Sequence, residues 1–143
     1  ACADAGLTFI GPTADVIARM GSKTAARDCA IAAGAPVVPG TQTPIAVDVP
    51  DHDVQRQGDA VGYPLMVKAV AGGGGKGMRQ VTASAALLDA VRTARSEALG
   101  AFGDGTVYFE RRLLRARHVE IQLLADQHGT VLPFVERECS VQR

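Results

Sequence analysis

The run Gly72-Gly73-Gly74-Gly75-Lys76-Gly77-Met78-Arg79 constrains this chain more than any other feature. Five of the six residues from 72 to 77 are glycine. Backbone without Cβ can approach a ligand closely and turn successive N–H groups toward one anion. Lys76 adds a cation inside the loop. Phosphate is the natural guest, and a flexible surface turn is the plain alternative. Leu65 to Val70, just before the loop, reads as a strand that is apolar on both faces apart from Lys68. An unpaired buried ammonium is costly, so Lys68 requires a phosphate, a carboxylate or a route to solvent along its own stem.

The flanks narrow the kind of loop. Positions 72, 74 and 77 satisfy GxGxxG, but the dinucleotide version needs a helix directly afterwards. Here Met78 to Val81 reads as extended, and Thr82 and Ser84 delay the next helix. A Walker A loop fails because Val70 stands at its first glycine and Gly77 follows Lys76. A kinase loop places its lysine on a later strand, whereas Lys68 comes first. What remains is a glycine loop between two antiparallel strands, a flexible lid over a nucleotide.

The rest of the chain supplies the surroundings. Leu7 to Ile10 reads as the end of a buried strand, stopped by Gly11-Pro12. Thr13 is placed to cap a helix through Met20, and Ser22 a second from Lys23 to about Ala33. A helix is expected from Asp51 to about Val61. Ser84 is placed to cap a longer one, from Ala85 to about Leu99, with Leu87, Leu88, Val91 and Ala98 on its buried face. Residues 106–110 read as a strand, and 118–125 and 130–138 as a hairpin turning at Asp126 to Gly129. His118, Glu120 and Gln122 would share one polar face. This order is α+β and not a doubly wound parallel sheet.

Composition excludes several classes. Of 143 residues, 15 are basic and 15 acidic, which argues against a general nucleic-acid binder. The three cysteines form no CxxC pair, so neither a disulfide framework nor a zinc site is expected, and a reducing compartment is the default. Cys139 reads as a small core residue, with no basic partner to make it a nucleophile. No apolar run reaches the roughly 18–20 residues of a membrane span, and no signal peptide is visible. The chain does not start with Met and ends without any stop signal, so it reads as a fragment of a longer protein or as a trimmed chain.

FIGPTADVIARMGSKTAAR (9–27), AGAPVVPG (33–40), GYPLMVKAVAGGGGKGMR (62–79), VYFERRL (107–113), RHVEIQLLAD (117–126) and ERECSVQR (136–143) together resemble the biotin carboxylase component of biotin-dependent carboxylases, in the ATP-grasp superfamily. The resemblance runs in order over essentially the whole chain. It implies that residues 1–10 end an N-terminal domain and that 11–39 form a helical linker. It further implies that 40–112 form the mobile ATP-grasp lid, an antiparallel sheet with helices, and that 113–143 open the C-terminal subdomain.

Residue by residue, the resemblance assigns Lys23 and Lys68 to nucleotide phosphates, with Lys68 also reaching adenine. Gly74 and Gly75 would fold over the phosphates, within the loop Gly72, Gly73, Gly74, Gly75, Lys76 and Gly77. Glu110, Arg111 and Leu113 would line the adenine edge, through a carboxylate acceptor, backbone and an apolar contact. His118 and Gln142 would lie near ribose and phosphates; read alone, His118 is an ordinary surface histidine. Ser22 and Arg111 depart from the family's usual acidic residue and lysine.

No catalytic residue and no metal ligand is assigned within the chain. The family's magnesium-binding glutamates, bicarbonate site and catalytic arginine would lie beyond Arg143. The implied cofactors are ATP and Mg2+, with biotin as carried substrate. The implied partners are bicarbonate, a biotin carrier, a carboxyltransferase component and a second copy of the full-length protein; nucleic acid and membrane are not among them. The implied compartment is the cytoplasm, or the mitochondrial matrix in a eukaryote. Which carboxylase would host the chain is left open.

Overall fold

The computed structural model describes residues 1–71 and 75–141. The expectations placed on Gly72, Gly73, Gly74 and Gln142 lie outside the described residues. Two compact units are present, residues 1–112 and 113–143.

In the first unit, α1 (Ala14–Gly21) begins at Thr13, whose hydroxyl accepts from the Val16 N–H, with Asp15 in the first turn. α2 (Lys23–Ala32) begins in the same way at Ser22, which accepts from the Ala25 N–H. Both caps fall where the sequence places them. Leu7 to Ile10 does not form the expected buried strand; the run is irregular, and Leu7, Phe9 and Ile10 are exposed. A strand needs a ladder for its backbone groups, and no described residue pairs with this run.

The core of this unit comes from α3 (Asp51–Val61), β1 (Leu65–Ala69), β2 (Met78–Val81), α4 (Leu87–Phe102) and β3 (Val107–Arg111). The strands form one sheet in the order β2-β1-β3, antiparallel throughout. Gly40 and Ile45 extend it by bridging Glu110 and Val107 at the outer edge of β3. Leu65 and Val67 of β1, Val81 of β2, and Val107 and Phe109 of β3 point to one face. Val54 and Val61 of α3 and Leu87, Val91 and Ala94 of α4 cover that face. Fully burying such a side chain contributes about 1.5–3 kcal/mol.

The start of α4 differs from expectation. Residues Ser84–Ala86 form a 3-10 turn, and the α-helix proper begins at Leu87. The Ser84 hydroxyl is not a cap, because it is engaged sideways, donating to Asp59 at 2.9 Å and accepting from Gln55 at 2.7 Å. The tie to α3 outcompetes local capping. The buried residues of α4 are Leu87, Val91, Ala94 and Ala98, with Leu88 only partly buried.

The second unit is a hairpin of β4 (Val119–Ala125) and β5 (Val131–Glu138). Asp126 shapes its turn by accepting from the N–H groups of His128 and Thr130, at 2.8 and 2.9 Å. Gly129, at φ +89, takes the left-handed position. The register shifts between Ile121 and Leu123. Three residue steps of β5, from Glu136 to Pro133, span two of β4, so the extra residue lies in β5. Glu120 and Gln122 keep their alternation on β4, and His118 stands just before that strand. Cys139 is only half-buried, so the expected core role fits it partly.

Candidate functional site

β1 sorts its side chains by parity. Leu65, Val67 and Ala69 face the helices, at no more than 1% exposed, which sends Met66 and Lys68 to the other face. Antiparallel register places Met78 and Tyr108 opposite Lys68, and Gln80 and Glu110 opposite Met66. Residues directly opposite share a face. The face of the sheet turned away from α3 and α4 thus gathers Lys68, Tyr108 and Glu110.

Lys68 Nζ donates to Glu110 Oε2, diagonally across the two strands, with the side chains 27% and 22% exposed. Lys68 thereby obtains the carboxylate that a mostly buried ammonium needs. Opposite Lys68 in the ladder, and two residues before Glu110, lies Tyr108, 7% exposed. Burial, and then the negative charge of Glu110, push its phenol up to about 12, while the Arg27 guanidinium acts in the opposite direction. Two partnered charges beside a buried hydroxyl make a polar floor that can exchange its internal partners for those of a ligand.

The glycine loop leaves this sheet between β1 and β2, as expected from the sequence. Its base is closed by the Ala69 N–H donating to the Gly77 carbonyl at 2.9 Å. Gly75 and Gly77 have φ of +84 and +67, a region that only glycine enters readily. Gly75 and Lys76 are exposed, while Gly77 is buried.

The other candidates are spread over several elements. Lys23 opens α2 at its N-terminal turn. Arg111 ends β3; its N–H donates to the Pro39 carbonyl at 2.7 Å, and its side chain reaches the Val61 carbonyl at 3.0 Å. Leu113 and His118 belong to the second unit. The His118 backbone is fixed by the Ser140 hydroxyl and the Cys139 N–H. A cavity of about 460 Å3 beside Arg27, Thr41 and Gln57 contains none of the candidate residues. Among the described residues, no group of three or more His, Cys, Asp or Glu is placed to hold a metal ion, and no helix is long and apolar enough to cross a membrane.

Sequence reasoning passed over Tyr108 and Glu97. Tyr108 had a usable signal, since it lies two residues from Glu110 on a strand and so on the same face. Glu97 had none, because its partners lie 18 and 20 residues away.

An antiparallel sheet backed by helices, with a glycine loop springing from a lysine-bearing strand, defines an α+β fold of the ATP-grasp kind. The profile of the family described as "Carbamoyl-phosphate synthase L chain, ATP binding domain" matches residues 22–143, and the chain belongs to that family. It is 47% identical, over all of its 143 residues, to the mitochondrial pyruvate carboxylase of Mus musculus. Among solved structures it is similar to the biotin carboxylase–beta-gamma-ATP complex of Campylobacter jejuni, with 39% identity and a TM-score of 0.88 over 99% of the chain. It is likewise similar to the biotin carboxylase domain dimer of 2-oxoglutarate carboxylase from Hydrogenobacter thermophilus, solved with MgADP, ADP and bicarbonate. There the identity is 39% and the TM-score 0.86, again over 99% of the chain. The chain spans 12% of the length of the mouse enzyme and 31% of each of these two structures.

Proposed function

We propose that this chain is the ATP-binding part of a biotin carboxylase. The protein containing it would use ATP and bicarbonate to form carboxyphosphate and then carboxylate biotin on a carrier. The observation that carries this reading is the Lys68–Glu110 pair on the sheet face turned away from α3 and α4, with Lys68 on the strand that leads into the glycine loop. It occurs in a chain matched along 99% of its length by a biotin carboxylase solved in an ATP complex.

In this reading residues 40–112 are the lid, 11–39 the linker, 1–10 the end of the preceding domain and 113–143 the start of the next. The compact unit that begins at Leu113 supports the last boundary. Lys68, Lys76 and Lys23 meet phosphates, and Gly72 to Gly77 close over them. Glu110 gives up part of its bond with Lys68 to accept from the adenine amine, beside the backbone of Arg111 and the side chain of Leu113. His118 and Gln142 serve the ribose and phosphates.

ATP requires Mg2+, which neutralises phosphate charge during transfer. In this reading the glutamates that hold it, the bicarbonate residues and the catalytic arginine belong to sequence beyond Arg143. What these residues contribute is placement and exclusion of water from a labile intermediate. A carboxyltransferase and a second copy complete the assembly. Identities of 47–48% to pyruvate carboxylases favour a host of that type, in the cytoplasm or the mitochondrial matrix.

The test is ATP hydrolysis by the full-length protein with and without bicarbonate and free biotin. Stimulation by both supports the reading, and its absence ends it. The family's own description names carbamoyl-phosphate synthase; stimulation by ammonia in place of biotin would establish that second reading. The isolated 143 residues are expected to show no carboxylase turnover.

A further inference from the structure

Glu97 lies on α4, behind the sheet and on the opposite face from Lys68. Its Oε2 accepts from the Gly77 N–H at 3.3 Å, and its Oε1 pairs with the Arg79 guanidinium. Arg79 stands opposite Val67 in the ladder, which puts it on the helix-covered face. Gly77 is closely packed as well. A Cβ there would meet the Ala69 Cβ at 2.8 Å and the Ala98 Cβ at 3.5 Å. Gly77 therefore has both backbone polar groups committed within the protein, its carbonyl to β1 and its N–H to α4. By contrast, among the described residues nothing lies within 4 Å of the Cβ position of Gly75.

We propose that Glu97 is a positioning residue for the phosphate loop. It holds the exit limb, Gly77 and Arg79, from the rear face, so that Gly75 and Lys76 leave the sheet in a fixed direction toward the face that carries Lys68. One carboxylate serves two donors on the same limb, so its removal frees both. It also keeps the Arg79 cation on the rear face. In this role the Gly77 N–H serves to anchor the loop. Glu97 touches no substrate and acts only through the loop. This role rests on the reading of the loop as an ATP lid.

The experiment uses the full-length protein, titrated calorimetrically with MgATP, with amide hydrogen exchange read at Gly77 and at Val67. Glu97→Ala is expected to weaken ATP binding about tenfold, the scale on which a displaced positioning element acts. It should speed exchange at Gly77 while leaving Val67 protected. Glu97→Gln keeps an acceptor for the Gly77 N–H and should restore part of both. Adding Arg79→Met to Glu97→Ala should cost less than the sum of the two single changes. If the wild type binds ATP and Glu97→Ala binds it equally well, the role of Glu97 is wrong and the lid reading stands. Loss of Val67 protection together with Gly77 protection means Glu97 is merely structural, which also overturns the proposal. A wild type that does not bind ATP overturns the lid reading, and this inference with it.

Discussion

β1 and β5 are both apolar strands in the sequence, and they end in opposite environments. In β1, Leu65, Val67 and Ala69 are at most 1% exposed. In β5 every residue is exposed, including Val131, Leu132, Phe134 and Val135. The strands have similar propensity and differ in what covers them. α3 and α4 lie over one face of β1, whereas the described part of the second unit contains only the hairpin. A two-stranded hairpin alone is marginally stable in water. The ion pair of the candidate site, Lys68–Glu110, is built on the covered sheet, where a packed rear face can hold a charged front face in place.

The largest contrast is expected from truncating an aromatic residue in each sheet. Phe109→Ala, at a fully buried position, should cost about 3–5 kcal/mol, and Phe134→Ala, at an exposed one, less than about 1 kcal/mol. Urea denaturation followed by circular dichroism measures both. Equal losses would show that the two sheets are equally covered.

The next contrast concerns ligand binding. On the proposed reading Lys68→Met removes a charge-assisted phosphate donor and should weaken ATP binding about 10- to 100-fold, while His118→Ala, in the hairpin unit, should cost less. Calorimetric titration of the full-length protein reads both. A larger effect at His118 would move the centre of the site into the second unit.

A third, smaller effect separates the sheets by pH. The Tyr108 phenol is held at about 12 in the fold against 10.0 ordinarily. Its proton is retained by the folded state and lost by the unfolded chain in that window. Stability from this group is therefore complete below pH 10 and lost as pH rises toward 12, by roughly 2 kcal/mol. Tyr63 is shifted upward too, mainly by burial. With two tyrosines and no tryptophan in the chain, ultraviolet titration can follow both phenols. Tyr108→Phe should remove the later step and flatten the alkaline loss of stability; an unchanged profile would rule Tyr108 out as its source.

Much of this fold was legible because local chemistry decided it. Thr13 and Ser22 cap where hydroxyls precede helical runs, and β1 and β2 flank the loop because an apolar run precedes the glycines and an extended one follows them. The legible part failed where tertiary contacts intervened. Ser84 looks like a cap, but Asp59 and Gln55 take its hydroxyl. Leu7 to Ile10 looks like a strand, but a ladder is a property of two segments and only one was visible. The site followed the same rule. Lys68 announced its need for a partner, yet Glu110 as that partner depended on register between strands 42 residues apart. Glu97 stayed hidden for the same reason.

The smallest effect belongs to the hairpin turn. Asp126 is held below the ordinary carboxylate range, first by the Thr130 N–H and then by that of His128. Both donors favour the charged form, so its contribution is present above pH 3.8 and is lost as pH falls through the lowered value. NMR titration should show the His128 and Thr130 amides moving together, with a midpoint below that of an ordinary aspartate. Asp126→Asn keeps an acceptor oxygen but cannot titrate, so it should hold the turn while abolishing the movement. Because the group is exposed, the hairpin should change little in stability, whereas the covered sheet should not respond at all. Movement of β1 amides with the same midpoint would instead assign the titration to a group outside the turn.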